Sequence, residues 1–208
     1  MEDSARVKQT IVTLDMEGVL TPEIWIAVAG ETGIDELRRT TRDEPDYDKL
    51  MTFRLEVLNR HGLKLSDIQR VIDTLDPLPG AREFLDELRA LVQVVILSDT
   101  FEQFAAPLIR KLNWPTLLCH RLLVDNDRIT GYQLRMPDQK RSAVEAFRGL
   151  NYQVISAGDS YNDTSMLGAA DTGFLIHAPD NVKAEFPRFK AVDSLEELMD
   201  VIKGAMTA

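Results

Sequence analysis

Two short stretches of this chain gather carboxylates where a strand would end. In the first, Asp15-Met16-Glu17-Gly18 follows the β-branched and aliphatic run Thr10-Ile11-Val12-Thr13-Leu14, so Asp15 and Glu17 stand two residues apart. In the second, Gly158-Asp159-Ser160-Tyr161-Asn162-Asp163 places two acids and an amide where a strand gives way to a helix. Each has an ordinary explanation: Asp before a glycine-containing loop is turn chemistry, and Ser160 with Asp163 has the spacing of a capping box. Asp159 is not needed for that cap. Carboxylates set side by side repel one another unless a cation lies among them.

Three other stretches could serve such a spot. Ser98-Asp99-Thr100 follows the apolar run Gln93 to Leu97 and precedes a helix, where a hydroxyl and free backbone N–H groups make either an anion site or a cap. Lys140 is a misfit. With Pro137-Asp138 opening a helix, Lys140 and Arg141 fall in its first turn, where a cation is disfavoured by roughly 0.3–1 kcal/mol. Either it is exposed, or a lysine is wanted near a phosphate and a crowd of carboxylates. Arg54 interrupts the mostly apolar stripe Tyr47, Leu50, Met51, Leu58, His61. A buried guanidinium needs a paired anion, and its donor fork suits a carboxylate, from Glu23 or from a substrate. His61, His120 and His177 show no ligand spacing and read as structural.

The elements that must position these groups alternate in type. Strands are expected at Thr10–Leu14, Gln93–Leu97, Thr116–Cys119, Gln153–Ala157 and Gly173–His177, with a β-hairpin over Arg121–Leu134. Helices are expected from Ala81 to Leu91, Phe101 to Leu112, Asp138 to Leu150, after Ser160 to Ala170, and from Ser194 to Lys203. Residues 23–77 read as all-helical: a helix from Pro22-Glu23 to Gly33, a loop over Thr40–Asp46, a helix from Tyr47 to His61, and another from Ser66, which caps it, to Leu75. Pro77, Pro79 and Gly80 bound that stretch. The expected fold is α/β, a doubly wound parallel Rossmann-like sheet over residues 1–22 and 78–208, with an inserted helical cap over 23–77. Ligands in such sheets bind at the carboxyl ends of the strands.

Composition limits the partners. The 208 residues carry a net charge of −10, which argues against nucleic acid or an anionic membrane. An anionic small substrate stays admissible, since a bound metal or local dipoles can overturn the global sign. One cysteine, Cys119, allows no internal disulfide and no thiolate metal site. Met1 to Gln9 lack the apolar core of a signal peptide and no run is long enough to span a membrane, so a cytoplasmic location is expected, with a homodimer admitted as the assembly.

Taken together, Asp15/Glu17, Ser98, Lys140 and Asp159/Asp163 resemble the four motifs of the haloacid dehalogenase-type phosphohydrolase superfamily. The helical insertion, Glu23, Arg54, Leu97-Ser98-Asp99-Thr100 and the 158–163 stretch further resemble phosphoserine phosphatases, above all the variant that also phosphorylates homoserine. The resemblance implies Asp15 as a nucleophile that becomes an aspartyl phosphate, with Glu17 as general acid and base. It implies Mg²⁺ held by the Asp15 carboxylate, the Glu17 carbonyl and Asp159, with Asp163 in support. Ser98 and Lys140 would bind phosphoryl oxygens, Asp99 and Asn162 would belong to the substrate-binding set, and Arg54 and Glu23 would hold the carboxylate and ammonium of a phosphorylated amino acid. Two residues depart from ordinary phosphoserine phosphatases: Glu17 stands where an aspartate is usual, and Asp99 where a glycine is. Two other readings are a phosphatase of the same superfamily for a sugar or nucleotide phosphate, and a phospho-aspartate receiver module. Receivers carry their Asp on a middle strand and lack a helical insertion.

Overall fold

The computed structural model describes residues 8–41, 43–44 and 46–207. Seven strands form one sheet: β1 Gln9–Leu14, β2 Gln93–Phe101, β3 Thr116–Asp125, β4 Arg128–Gln133, β5 Tyr152–Gly158, β6 Thr172–Ile176 and β7 Lys190–Val192, in the order β4-β3-β2-β1-β5-β6-β7. Every neighbouring pair is parallel except the β3–β4 hairpin. Parallel strands covered on both faces carry apolar residues on both. Thus Val12 and Leu14 of β1 belong to one core, while Ile11 belongs to the core on the opposite face with Leu97, Val154 and Leu175.

The helices are α1 Ile24–Thr32, α2 Tyr47–His61, α3 Leu65–Thr74, α4 Ala81–Leu91, α5 Glu102–Lys111, α6 Gln139–Gly149, α7 Thr164–Ala169, α8 Asp180–Glu185 and α9 Leu195–Met206. Among the described residues from Ile24 to Thr74 there are helices, including a 3-10 turn over Asp35–Arg38, and no strand. α1 and α2 stop at Gly33 and Gly62, both left-handed, as glycine permits. The Asp46 carboxylate caps α2 by accepting from the Lys49 N–H. The expected Thr40–Asp46 loop includes Arg42 and Pro45, which lie outside the described residues. Among the described residues no helix is long and apolar enough to cross a membrane.

Three expectations need correction. Ser66 does not cap α3. Lys64 holds that position, with Asp67 accepting from its N–H, and Ser66 is the second residue of the helix. The N–H and hydroxyl of Ser66 instead donate to Asp127 at the tip of the β3–β4 hairpin, a partner 61 residues away that local spacing could not reveal. Second, the expected strand at Thr116–Cys119 and the first arm of the hairpin are one continuous strand, β3. Third, β2 does not end at Leu97. It runs through Ser98-Asp99-Thr100 to Phe101, and its register with β3 breaks between Leu97 and Phe101. Such an irregularity re-aims side chains at a strand end.

Candidate active site

Register sets the site. Leu14, the last residue of β1, pairs with Ile96 of β2 on one side and Ala157 of β5 on the other. Asp15 and Asp159, the first residues past β1 and β5, therefore leave the sheet together, beside Ser98 on the part of β2 that runs on past its last pairing with β1. The Asp15 N–H still donates to the Ala157 carbonyl at 3.0 Å. Asp15, Asp159 and Asp163 are all buried, and each offers an oxygen within 4.8 Å of the others. Lys140, 2 % exposed, reaches in from the first turn of α6 and donates to Asp15 Oδ1 at 2.8 Å and Asp163 Oδ1 at 2.7 Å. The unfavourable helix position is thus offset by two buried carboxylates, and exposure is not the explanation.

The capping reading of 160–163 is also correct, and it fixes Asp163. Asp163 Oδ2 accepts from the N–H groups of Asp159 and Ser160 at 2.9 and 3.1 Å, which leaves Oδ1 to Lys140. Two glycines make room. A β-carbon at Gly158 would collide with the Asp163 carboxyl group. Gly18 has φ +79°, and a β-carbon there would run into the Asp159 carboxylate.

Three acids share one ammonium in this space. Burial first, then Asp163 and Asp159, push the Asp15 carboxyl well above its usual range despite Lys140. Burial, Asp163 and Glu23 push Asp159 up to about 7. Burial opposes the charge on Lys140, but Asp15, Asp163 and Asp99 outweigh it and hold its pKa well above the ordinary value. A compact set of buried oxygen donors with excess negative charge fits a hard divalent cation.

Glu17 turns toward the start of α1. Its Oε2 accepts from the Ile24 N–H at 2.9 Å, and the Thr100 hydroxyl also bonds its carboxylate. Burial and the neighbouring Glu23 push it up to about 7. A carboxyl group poised there can give and take a proton at neutral pH. Glu17, Glu23 and Arg54 line a cleft of about 130 Å³ that reaches Asp15, Ser98 and Lys140.

Arg54 is 7 % exposed and packs over the Trp25 ring, 4.5 Å from its centroid. One terminal nitrogen donates to the Arg39 carbonyl at 2.8 Å, while Nε has no partner among the described residues. Burial lowers its pKa to about 10, against Tyr47, Glu17 and Glu23. Glu23 is near enough to be felt but is not its hydrogen-bond partner.

Neither Ser98 nor Thr100 caps α5, whose N-terminus has no side-chain cap. Ser98 is buried, with its Oγ accepting from the Thr100 N–H at 3.3 Å. Asp99 is the most connected residue of this stretch. Its Oδ1 accepts from Gln139 Nε2 at 3.2 Å and lies 3.5 Å from His120 Nε2. Its Oδ2 accepts from Asn162 Nδ2 at 3.2 Å and lies 3.7 Å from Lys140 Nζ, and its carbonyl accepts from the Tyr47 hydroxyl at 3.0 Å. Burial would raise the Asp99 carboxyl, but Lys140, His120, Asn162 and Gln139 together hold it below the usual range. The Arg135 N–H donates to His120 Nδ1 at 3.1 Å, which leaves the ring hydrogen on Nε2, facing Asp99. Each residue to which the resemblance gives a chemical role thus borders this one region, through the trio, the cleft or Asp99. Sequence reasoning missed Thr100, His120 and Gln139 as members. Thr100 had a signal, a second hydroxyl beside Ser98; His120 and Gln139 had none in spacing alone.

Comparison with known proteins agrees with this geometry. A model of haloacid dehalogenase-like hydrolases matches residues 10–171. A phosphoserine phosphatase of Pseudomonas syringae pv. tomato is 64% identical over 189 residues, covering 90% of this chain and 80% of the relative. Phosphoserine phosphatase ThrH of Pseudomonas aeruginosa is 62% identical over 189 residues, covering 90% and 92%. Among solved structures, a phosphoserine phosphatase from T. onnurineus superposes with a TM-score of 0.73 at 25% identity, over 94% of this chain and 95% of that one. A phospho-aspartyl intermediate analogue of a phosphoserine phosphatase superposes with a TM-score of 0.75 at 20% identity, over 94% and 99%, a likeness of fold alone. With its four motifs brought to one end of a parallel sheet, this chain belongs to the haloacid dehalogenase-like hydrolases.

Proposed function

We propose that the protein is a Mg²⁺-dependent phosphoryl-transfer enzyme that hydrolyses O-phospho-L-serine through an aspartyl phosphate on Asp15 and also passes the phosphoryl group to homoserine. The observation that carries the substrate class is Arg54: a buried guanidinium with a free Nε, lining the same small cleft as Asp15 and an acid, Glu23. That pairing suits a substrate bearing both a carboxylate and an ammonium group. The names of relatives at 62–64% identity support it.

In this reading the helical stretch 23–77 is a cap over a core of residues 1–22 and 78–208, and closing it excludes bulk water. Arg54 and Glu23 fix the amino-acid end of the substrate. Ser98, Lys140 and Asn162 take phosphoryl oxygens, with Lys140 offsetting charge as the loose transition state forms. Asp15 attacks phosphorus as the P–O bond to serine breaks, and Glu17 protonates the departing oxygen. Glu17 then removes the proton from water or from the homoserine hydroxyl as that oxygen attacks the aspartyl phosphate, which frees Asp15. Mg²⁺, held by Asp15, Asp159 and the Glu17 carbonyl with Asp163 in support, would supply charge neutralisation at the phosphoryl oxygens. An enzyme with these partners works on small molecules in the cytoplasm.

Phosphoserine turnover measured in Mg²⁺ and in EDTA, with and without homoserine, tests this. Serine and phosphate released only in Mg²⁺, with phosphohomoserine formed when homoserine is present, is the expected result. Turnover of sugar or nucleotide phosphates in preference to phosphoserine would move the enzyme to another substrate, and no phosphohomoserine would make it a plain phosphatase.

Two further outcomes follow from the site. Arg54→Ala raises KM for phosphoserine by at least about 100-fold, on the scale of a lost buried charge-assisted pair, but changes KM for p-nitrophenyl phosphate little. Equal losses on both substrates would remove Arg54 from recognition. The second concerns metal-free protein. Asp159 has an ordinary pKa of 3.8 and is pushed up to about 7 when folded, so between those values the folded chain keeps a proton that the unfolded chain has released. Stability of the metal-free protein therefore falls as pH rises toward 7. Mg²⁺, which needs ionised acids, raises Tm more at about pH 8 than at about pH 5. A Mg²⁺ effect independent of pH would contradict the assignment.

A further inference from the structure

The Lys140 ammonium has three hydrogens, two of them given to Asp15 and Asp163 at 2.8 and 2.7 Å. A third carboxylate, Asp99, lies 3.7 Å from the same nitrogen, too far for a hydrogen bond. Gln139 and Asn162 hold it at that distance, each donating to one of its oxygens at 3.2 Å. Asp99 thus stands as an anion beside Lys140, whose third hydrogen a phosphoryl oxygen would take. Its backbone is pinned, since the Tyr47 hydroxyl donates to its carbonyl at 3.0 Å, so only the side chain is left to move. It has somewhere to go: Asp99 lines both the small cleft and an adjoining chamber of about 810 Å³.

From this arrangement we infer that Asp99 is a built-in competitor for the phosphoryl subsite, an internal carboxylate that sets how tightly the enzyme holds tetrahedral anions. It stands beside Lys140 in the free enzyme and swings toward the chamber when a phosphoryl group arrives. Its like charge at short range weakens the hold on any phosphate left behind, because two anions a few ångströms apart in a partly buried site repel strongly. The consequence is fast loss of inorganic phosphate and a site kept open for the next ester. The inference rests on the proposed phosphoryl chemistry at Asp15 but not on phosphoserine as the substrate. A merely structural Asp99, a brace for Lys140 and Asn162, has the opposite consequence, since removing a brace loosens the subsite and weakens anion binding.

The sign of the change in phosphate affinity decides between them. Orthophosphate is titrated calorimetrically into the Mg²⁺-loaded wild type, Asp99→Asn and Asp99→Gly. Asp99→Asn keeps the shape and can still meet Asn162, and Asp99→Gly keeps the test readable if the amide disturbs Gln139. The expected result is a dissociation constant lower by at least about tenfold in each variant, with phosphate a correspondingly stronger product inhibitor. A gain in either folded variant supports the inference. Unchanged or weaker phosphate binding in both overturns it. A wild type that binds phosphate but does not turn over phosphoserine would fail the proposed substrate and leave this test standing.

Discussion

Asp15→Asn abolishes phosphoryl transfer, by at least about 10⁴-fold on the scale of other lost covalent nucleophiles, and leaves the metal-free protein as stable as wild type or more so. The two halves have separate causes. An amide cannot form an acyl phosphate, so no first displacement occurs. The folded state loses little, because the carboxylate being replaced is one that burial, Asp163 and Asp159 already push well above its usual range. An amide oxygen can still accept from Lys140, and one of the three acids crowded around a single ammonium is gone. Turnover that survives the substitution would exclude a covalent route through Asp15. A large fall in Tm with turnover lost would mean that the residue is structural.

Lys140→Met loses activity too, but with the opposite effect on stability. The ammonium is 2 % exposed and bonded to two buried carboxylates, and methionine fills similar volume without charge. Stripping one partner from a buried ionic cluster costs about 3–5 kcal/mol, or a fall in Tm of roughly 6–20 °C for a chain of this length. The loss is largest in metal-free protein at neutral or higher pH and shrinks on acidification, since protonated acids no longer repel. Mg²⁺ restores part of it. Phosphoryl transfer falls by about 10²–10³-fold even in the loaded enzyme, as one charged donor to the transition state is gone. A variant with wild-type Tm in EDTA at pH 8 would contradict the electrostatics of the trio.

What was legible in the sequence follows from what is local. Asp15, Ser98 and Asp159 could be placed at one edge because each ends a β-rich run, and parallel strands in register bring their ends together. Lys140 declared itself by standing where the helix dipole disfavours it. The stops at Gly33 and Gly62 were readable because a left-handed residue ends a helix there. The 3-10 turn at Asp35–Arg38, the six-residue α8 and the three-residue β7 were not readable, being too short to show a period. Ser66 misled because hydroxyls cap helices so often, whereas its partner Asp127 lies on a hairpin far along the chain. The Gln139 and His120 bonds to Asp99 were hidden for the same reason: each is made across elements that only the folded sheet brings together.

The fate of the phosphorus atom tests the central claim most directly. Wild-type enzyme turning over phosphoserine labelled at phosphorus in Mg²⁺ is quenched in acid within a few turnovers, and the labelled peptide is identified. The account predicts label on Asp15 at the early quench, absent in Asp15→Asn and lost when unlabelled phosphoserine or homoserine is added before a later quench. Turnover without any label on the protein, or label on another residue, would contradict it.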